Sequence, residues 1–518
     1  MKPVKIRLWI PVALLVASGT AMVLVRSNGE TDQVLKTMWT LILSGVTILL
    51  LLIWLLLLSG LRWRTRLLGF AGFVAALALL GATFRMEGSL NGSAVPRLVP
   101  RWAPRKDFNP SAAARRSSAG LAISNEVVMS AEFTQFLGAT RRAEVTNVHL
   151  ARDWATRKPR ELWRQPIGLG WSAFAVKEGR AITQEQRGAA ELVAAYELAT
   201  GRALWSHTNH VRFREAMGGD GPRATPTIDG DHLFALGATG MLDRLEAATG
   251  KRIWSRDVLV ENQLPNLEWG KSSSPLLVDD LVVVTGGGAK EKTLLAYRQE
   301  TGELAWASGE DKASYASPVL ATLAGRRQIL IVNAASVAAH DPKDGAMLWK
   351  YPWGTEGAPK CSQPVAIGND RVFLSAGYAV GCVLLQVKAD AAGQLSVVEL
   401  WKNRNLKTQF ANVSVRDQFV YGLDDGILTC LDLQSGERKW KSGRYASGQS
   451  LLVRDLLLIQ AESGPLALVE ANPIRYQELG RMEALSSKTW NNPVLAGPFL
   501  LVRNDQEAAC YLLETESL

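Results

Sequence analysis

A repeat that begins near residue 160 constrains this 518-residue chain more than any other feature. Each copy runs an apolar strand into a turn holding glycine, then a strand that ends in tryptophan. The clearest copies are Ala195-Tyr196-Glu197-Leu198-Ala199-Thr200-Gly201-Arg202-Ala203-Leu204-Trp205 and Arg244-Leu245-Glu246-Ala247-Ala248-Thr249-Gly250-Lys251-Arg252-Ile253-Trp254. Others end at Trp306 after Thr301-Gly302, at Trp349 after Asp344-Gly345 and at Trp440 after Ser435-Gly436. A looser copy ends at Trp401, its hairpin widened around Ala391–Gly393. Successive tryptophans stand 39 to 52 residues apart, the length of one four-stranded propeller blade. The glycine supplies the positive φ of a tight hairpin. The tryptophan is a large flat side chain suited to the gap where neighbouring blades meet.

A second marker gives the same count. Each unit opens with a polar-to-Pro step ahead of two short strands: Thr225-Pro226, Ser274-Pro275, Ser317-Pro318, Gln363-Pro364 and Asn492-Pro493, with variants at Trp171, Asn412 and Gln449. Those are eight starts. Seven units end inside the chain, the seventh near Glu478-Leu479, where the tryptophan is missing. The eighth runs through Phe499–Arg503 and Cys510–Leu513 and lacks a fourth strand. Glu161-Leu162-Trp163-Arg164 is predicted to supply it, closing the ring and leaving no open edge at the seam. The expected fold is all-β: an eight-bladed β-propeller over residues 160–518, preceded by about three N-terminal transmembrane helices.

Those helices are expected within a transmembrane region 1–86, at about 8–25, 38–61 and 67–84, each near the length that spans a hydrocarbon layer. The first also has the length of a signal peptide, yet no small-x-small cleavage site precedes Arg26 and another strong span follows. Lys2, Lys5 and Arg7 before the first span, and Arg62, Arg64 and Arg66 between the second and third, predict a cytoplasmic N-terminus. That orientation places the chain in the bacterial inner membrane with its propeller in the periplasm. Arg85, Arg97, Arg101 and Arg105, after the third span, run against the same rule. Residues 87–121 read as a flexible linker and 122–159 as a lead-in segment. Much of the net charge of +9 sits near the spans and between Arg97 and Arg116, and no basic helix or aromatic-basic motif points to nucleic acid.

The four cysteines, Cys361, Cys382, Cys430 and Cys510, form no CxxC motif and no adjacent pair, so they read as small buried residues, with Cys361–Cys382 as the one disulfide candidate. His207 and His210 lie three apart and read as part of an exposed blade-edge loop. No P-loop, GxSxG, HExxH or CxxCH motif occurs. No catalytic residue and no metal ligand is therefore assigned. Binding candidates come from topology, because residues flanking the innermost strands face a central funnel. They are Trp171, Arg223, Lys271, Tyr315, Gln363, Asn412, Gln449 and Asn491 at the strand starts, with Gln184, Glu185, Gln186, Arg187 and Trp490 beside them. The competing reading is that these polar groups satisfy neighbouring backbone, with Glu185 ion-paired to Arg187 or Arg223.

The tryptophan repeat resembles the pyrroloquinoline-quinone (PQQ) repeat, found in eight-bladed quinoprotein dehydrogenases and in BamB-like propellers of outer-membrane barrel assembly. The resemblance covers roughly residues 160–518. Thr183-Gln184-Glu185-Gln186-Arg187-Gly188, Gly221-Pro222-Arg223-Ala224-Thr225-Pro226, Gly237-Ala238-Thr239-Gly240 and Lys488-Thr489-Trp490-Asn491 look like a bacterial PQQ-binding-like subfamily, and Phe133-Thr134-Gln135-Phe136-Leu137-Gly138 like its lead-in. Quinoprotein alcohol dehydrogenases hold PQQ between a Trp face and a disulfide of adjacent cysteines, beside calcium held by Glu, Asn and Asp. Trp269 and Trp490 stand where such a face is expected, but this chain has no adjacent cysteines and no calcium triad on matching motifs. The expected function is a membrane-anchored, non-catalytic periplasmic scaffold that binds an envelope protein, a peptide or a small ligand. The alternative is a PQQ-dependent dehydrogenase with calcium, or a degenerate relative of one.

Overall fold

The computed structural model of the chain describes residues 7–29, 31–108, 116–117, 123–288 and 292–516. Two compact units emerge, the first residues 1–106 with 216–219, the second the remainder.

In the first unit, helices span Trp9–Ser27, Gln33–Ile53 with a π-helical continuation Trp54–Leu58, and Trp63–Thr83. All three are long and apolar enough to cross a membrane. The second begins five residues before the predicted 38. Its polar residues bond their own helix: Thr37 donates to Gln33 O at 3.0 Å, Thr40 to Lys36 O at 2.7 Å and Ser44 to Thr40 O at 2.8 Å. Hydroxyls satisfied this way do not interrupt an apolar helix. Part of the stretch read as a linker is structured, because Phe84–Ser89 and Pro96–Pro100 form an antiparallel hairpin. Lys2, Lys5, and residues 109–115 and 118–121 of that stretch lie outside the described residues.

In the second unit, eight four-stranded antiparallel units surround an axis. Blade 1 holds Ala175–Lys177, Arg180–Arg187, Ala190–Glu197 and Ala203–Asn209. Blades 2 to 7 follow in chain order, the last starting at Gln449 and ending at Glu483. Blade 8 takes Val494–Ala496, Phe499–Arg503 and Glu507–Leu512 from the end of the chain and Arg160–Pro166 from the start. The borrowed strand pairs in register, with Cys510 opposite Trp163 and Ala509 opposite Arg164. The predicted closure and the blade count both hold.

The geometry explains the repeat. In every blade the register between third and fourth strands slips by one residue just past the tryptophan position, as between Ala195↔Trp205 and Tyr196↔Ala203. This bulge turns the tryptophan toward the next blade. There its indole Nε1 donates to a turn carbonyl: Trp205 to Ala247 O at 3.2 Å, Trp254 to Gln299 O at 2.8 Å, Trp401 to Leu433 O at 3.0 Å. The same ring lies on the glycine of that turn. A Cβ on Gly250 would meet Trp205 at 2.3 Å, and Gly250 holds φ +71°. Glycine is thus required twice, for its turn and for the ring of the preceding blade.

Three blades depart from the rule. Trp440 of blade 6 donates to Asn472 O at 2.8 Å, but its ring meets Tyr476 where the others meet a glycine. Trp349 faces the widened hairpin of blade 5, and instead donates to Gln328 Oε1 of its own blade at 2.6 Å. In blade 7 the tryptophan position is Gly480, opposite Leu468. Trp154 of the lead-in fills the vacancy: it is 5% exposed, and a Cβ on Gly480 would meet its Cβ at 2.6 Å.

The lead-in also occupies the ring. Its short helix Asn125–Met129 and Ala131 pack near the turns between first and second strands, at Gly179 of blade 1 and Gly497 of blade 8. Phe133 then bridges Val176 in blade 1 and the Thr134 carbonyl accepts from Ile228 N in blade 2 at 2.8 Å. Arg141 donates to Ser274 O and Pro275 O beside blade 3 at 3.0 and 2.8 Å. Ala143 O accepts from Leu452 N of blade 7, and Glu144–Val145 pair in parallel with its first strand. These partners lie on opposite sides of the axis, so residues 133–145 cross it and fill the channel from one end. Leu137, Arg141 and Ala143 do so with positive φ.

Candidate functional site

With one end of the channel occupied, the candidate surface is the opposite mouth, where the innermost strands start. Most polar candidates there serve the ring itself. Ala173 N donates to Thr225 Oγ1 at 3.2 Å, Thr225 N to Ser274 Oγ at 2.9 Å, and Ser274 N to Ser317 Oγ at 2.9 Å. Ser317 N donates to Gln363 Oε1 at 2.7 Å, and Gln363 N to Asn412 Oδ1 at 2.9 Å. From blade 1 to blade 6, each first strand is thereby latched to the next by a side chain two residues ahead of that next strand. Across the seam the roles reverse, with the Asn491 side-chain amide donating to Ser172 O at 2.7 Å. Gln449 donates to Trp490 O at 3.0 Å and Phe410 O at 3.2 Å.

The cations at the starts are likewise engaged by backbone. Lys271 is fully buried and donates to Thr285 O at 3.0 Å and to Gly286 O. Burial pushes its ammonium down to about 7. Lys360, which the sequence reading missed, donates to Ala334 O, Thr355 O and Ala358 O, and burial lowers it to about 8. Arg223 donates to Gly221 O and lies over the Phe213 ring at 4.6 Å. Burial lowers it to about 10 despite Glu215, Glu191 and Asp220.

Gln184 to Arg187 end the second strand of blade 1 and divide between packing and pairing. Gln184 donates to Ala224 O and Leu236 O of blade 2 at 2.7 and 3.1 Å. Glu185 is fully buried and accepts from Gly168 N, Tyr196 OH and Arg187, the last at 2.7 Å. Arg187 is therefore its ion-pair partner, not Arg223. Gln186 Oε1 accepts from Phe213 N at 2.9 Å. Arg503, also unanticipated, is 1% exposed and ties blade 8 to blade 1 through Thr183 Oγ1 at 2.7 Å and Gln184 O at 2.9 Å. No motif marks these buried cations. Their only signal is a basic residue inside an otherwise apolar strand or just ahead of one.

What remains at the mouth is aromatic. Trp171 and Trp490 lie 4.8 Å apart between ring centroids, and Phe410 lies 5.1 Å from Trp490. The Lys488 ammonium stands 4.0 Å from the Trp490 ring and 5.3 Å from Trp171. Trp490 Nε1 donates to Glu462 Oε1 at 2.6 Å, which fixes the indole. On blades 3 and 4, Trp269 and Tyr315 lie 5.4 Å apart, with the Tyr315 hydroxyl pushed up to about 12 by burial. All five rings stay partly exposed. Phe410 was not anticipated because it sits two residues ahead of a start that lacks proline.

Two smaller expectations change. Cys361, Cys382, Cys430 and Cys510 are all free, so no Cys361–Cys382 disulfide forms. His207 lies on the strand Ala203–Asn209 rather than in a loop, 3.9 Å from Asp243.

Comparison with known proteins agrees with this architecture. The family model described as outer membrane protein assembly factor BamB matches residues 154–290 and 189–442, together more than half of the chain. BamB of Moranella endobia (strain PCIT) is 23% identical over 288 residues, covering 52% of this chain and 67% of that protein. The quinohemoprotein alcohol dehydrogenase ADH IIB of Pseudomonas putida is 29% identical over 119 residues, 22% of this chain and 17% of the enzyme. The crystal structure of BamB from Moraxella catarrhalis superimposes with a TM-score of 0.51 at 15% identity, over 70% of this chain and 99% of that one. The match of that family model to more than half of the chain, on an eight-bladed ring of PQQ-like repeats, makes this chain a member of the BamB propeller family.

Proposed function

We propose that the chain is a membrane-anchored scaffold, without catalysis of its own, that holds an extended segment of an envelope protein. The observation that carries this reading is the division of labour at the mouth. Its polar side chains are spent on inter-blade latches, whereas Trp171, Trp490, Phe410, Trp269 and Tyr315 keep partly exposed rings. Aromatic faces beside one cation suit a peptide, which brings apolar side chains and backbone carbonyls. The outer blade edge offers a second mode, because Arg116–Ser117 already add a short antiparallel strand to blade 8. Kinship with BamB supports the same choice, and the apolar helices support an inner-membrane anchor with the propeller in the periplasm.

The residues present do not fit PQQ with calcium. Trp490 is already flanked by Trp171, Phe410 and Lys488, and the mouth's buried cations are bonded to carbonyls. The match to ADH IIB spans too little of that enzyme to transfer its chemistry.

Affinity purification of the full chain from cross-linked membranes tests the reading. A discrete protein partner recovered with wild type, and reduced by Trp490→Ala, is expected. No partner, together with alcohol or sugar oxidation after adding PQQ and calcium, would reverse it.

A further inference from the structure

The third apolar helix ends at Thr83, and the chain turns at once into the hairpin of Phe84–Ser89 with Pro96–Pro100. Its register sets Phe84 opposite Pro100 and Met86 opposite Leu98, so one face is apolar. Met86 and Leu98 are 45% and 62% exposed, and Leu90 and Trp102 nearby are 56% and 76% exposed. The other face satisfies itself. Arg85 donates to Pro100 O, Arg101 O and Ala103 O at 3.3, 2.7 and 2.8 Å, and lies 3.6 Å from Glu87.

The hairpin is also bound to the helix end. Arg101 N donates to Thr83 O at 2.8 Å and Arg101 Nε to Gly81 O at 2.7 Å. A strand of this length reaches about 20 Å at most. Where the third helix crosses a membrane, as the anchoring reading requires, the hairpin stays beside the headgroups. Of the four arginines that oppose the orientation rule, Arg85 and Arg101 are used on carbonyls. The side chains of Arg97 and Arg105 make no hydrogen bond or ion pair among the described residues.

We propose that this hairpin is a membrane-surface clamp for anionic phospholipid. Met86, Leu98 and Trp102 enter the interfacial layer where the third helix emerges, a depth that suits an indole. Arg97 and Arg105 bind lipid phosphates there, and the negative surface potential of such a leaflet favours them. The basic run after the third span then serves as an anchor to the leaflet it faces, not as a signal of orientation.

The test uses the full chain in nanodiscs of phosphatidylcholine alone, or with about one-third phosphatidylglycerol. A fluorophore is attached at Leu98→Cys in a Cys361→Ser background, with Ile474→Cys, 85% exposed in the propeller, as the water-exposed reference. Acrylamide quenching at position 98 should be several-fold weaker than at 474 in the anionic discs. It should rise in phosphatidylcholine alone and in the Arg97→Glu, Arg105→Glu variant. Equal quenching at 98 and 474 would overturn the clamp. Equal shielding in both lipids would overturn the phosphate contact. Co-elution of the chain with the discs reports anchoring separately, so loss of that reading is distinguished from loss of this one.

Discussion

Trp163 donates its indole Nε1 to the carbonyl of Leu198 at 2.8 Å, across the seam between the last blade and the first. The ring is 2% exposed and rests on Gly201, whose added Cβ would meet it at 2.7 Å. Blade 8 therefore docks onto blade 1 by the same contact that joins blades inside the chain. The closure is held by packing as well as by the paired backbone of Arg160–Pro166.

Trp163→Ala removes that ring and opens a cavity at the seam. A loss of about 3–5 kcal/mol is expected, as for buried tryptophan elsewhere. Denaturant unfolding of the wild type and the variant, followed by tryptophan fluorescence, measures it. Gly201→Val should be as damaging, because the left-handed turn and the ring both exclude a branched side chain.

Trp154→Ala should cost a similar amount, about 3–5 kcal/mol, although Trp154 lies outside every repeat. If it stands in for the missing tryptophan of blade 7, Gly480→Trp should destabilise the wild type and recover stability in the Trp154→Ala background. A double-mutant cycle on unfolding free energies reads that coupling. Additive losses would show that the two positions are independent.

Glu191 is 3% exposed, and burial raises its carboxyl from 4.5 to about 7, against the pull of Arg223. Its folded pKa lies above its unfolded one, so the native state binds the extra proton between pH 4.5 and 7. Stability falls as pH rises through that window, by about 3 kcal/mol in total. Glu191→Gln should remove this slope, matching wild type near pH 4 and exceeding it at pH 8. Melting temperatures across pH 4–8 check the sign.

Asn412→Ala should separate structure from recognition. Losing Oδ1 leaves the Gln363 N–H without its acceptor in a buried site, at a cost of about 1–3 kcal/mol. Partner recovery at a temperature where the variant is folded should be unchanged. Trp490→Ala should do the reverse, with recovery lost and a smaller effect on unfolding.

The architecture was legible because its determinants are local and repeated. Gly250 and Trp205 stand at fixed offsets in sequence, and each copy testifies to the others. Trp154 escaped because its role exists only in three dimensions, opposite a glycine more than 300 residues away. The mouth was legible in outline, since strand starts converge on any propeller axis. The roles within it were not. Whether Gln363 faces a ligand or the Ser317 amide depends on a neighbouring blade's backbone, and no motif records that. The channel-filling path of residues 133–145 was hidden for the same reason, because Arg141 meets Ser274 O across 133 residues of chain.

Photo-cross-linking from within the mouth tests the central claim most directly. A benzophenone amino acid replaces Trp171 in the full chain, in native membranes, with a second replacing Ile474 as control. Discrete protein adducts from position 171, absent from 474, are predicted. Identical patterns from both positions, or none from 171 in membranes where the chain is folded and abundant, would contradict a partner-binding mouth.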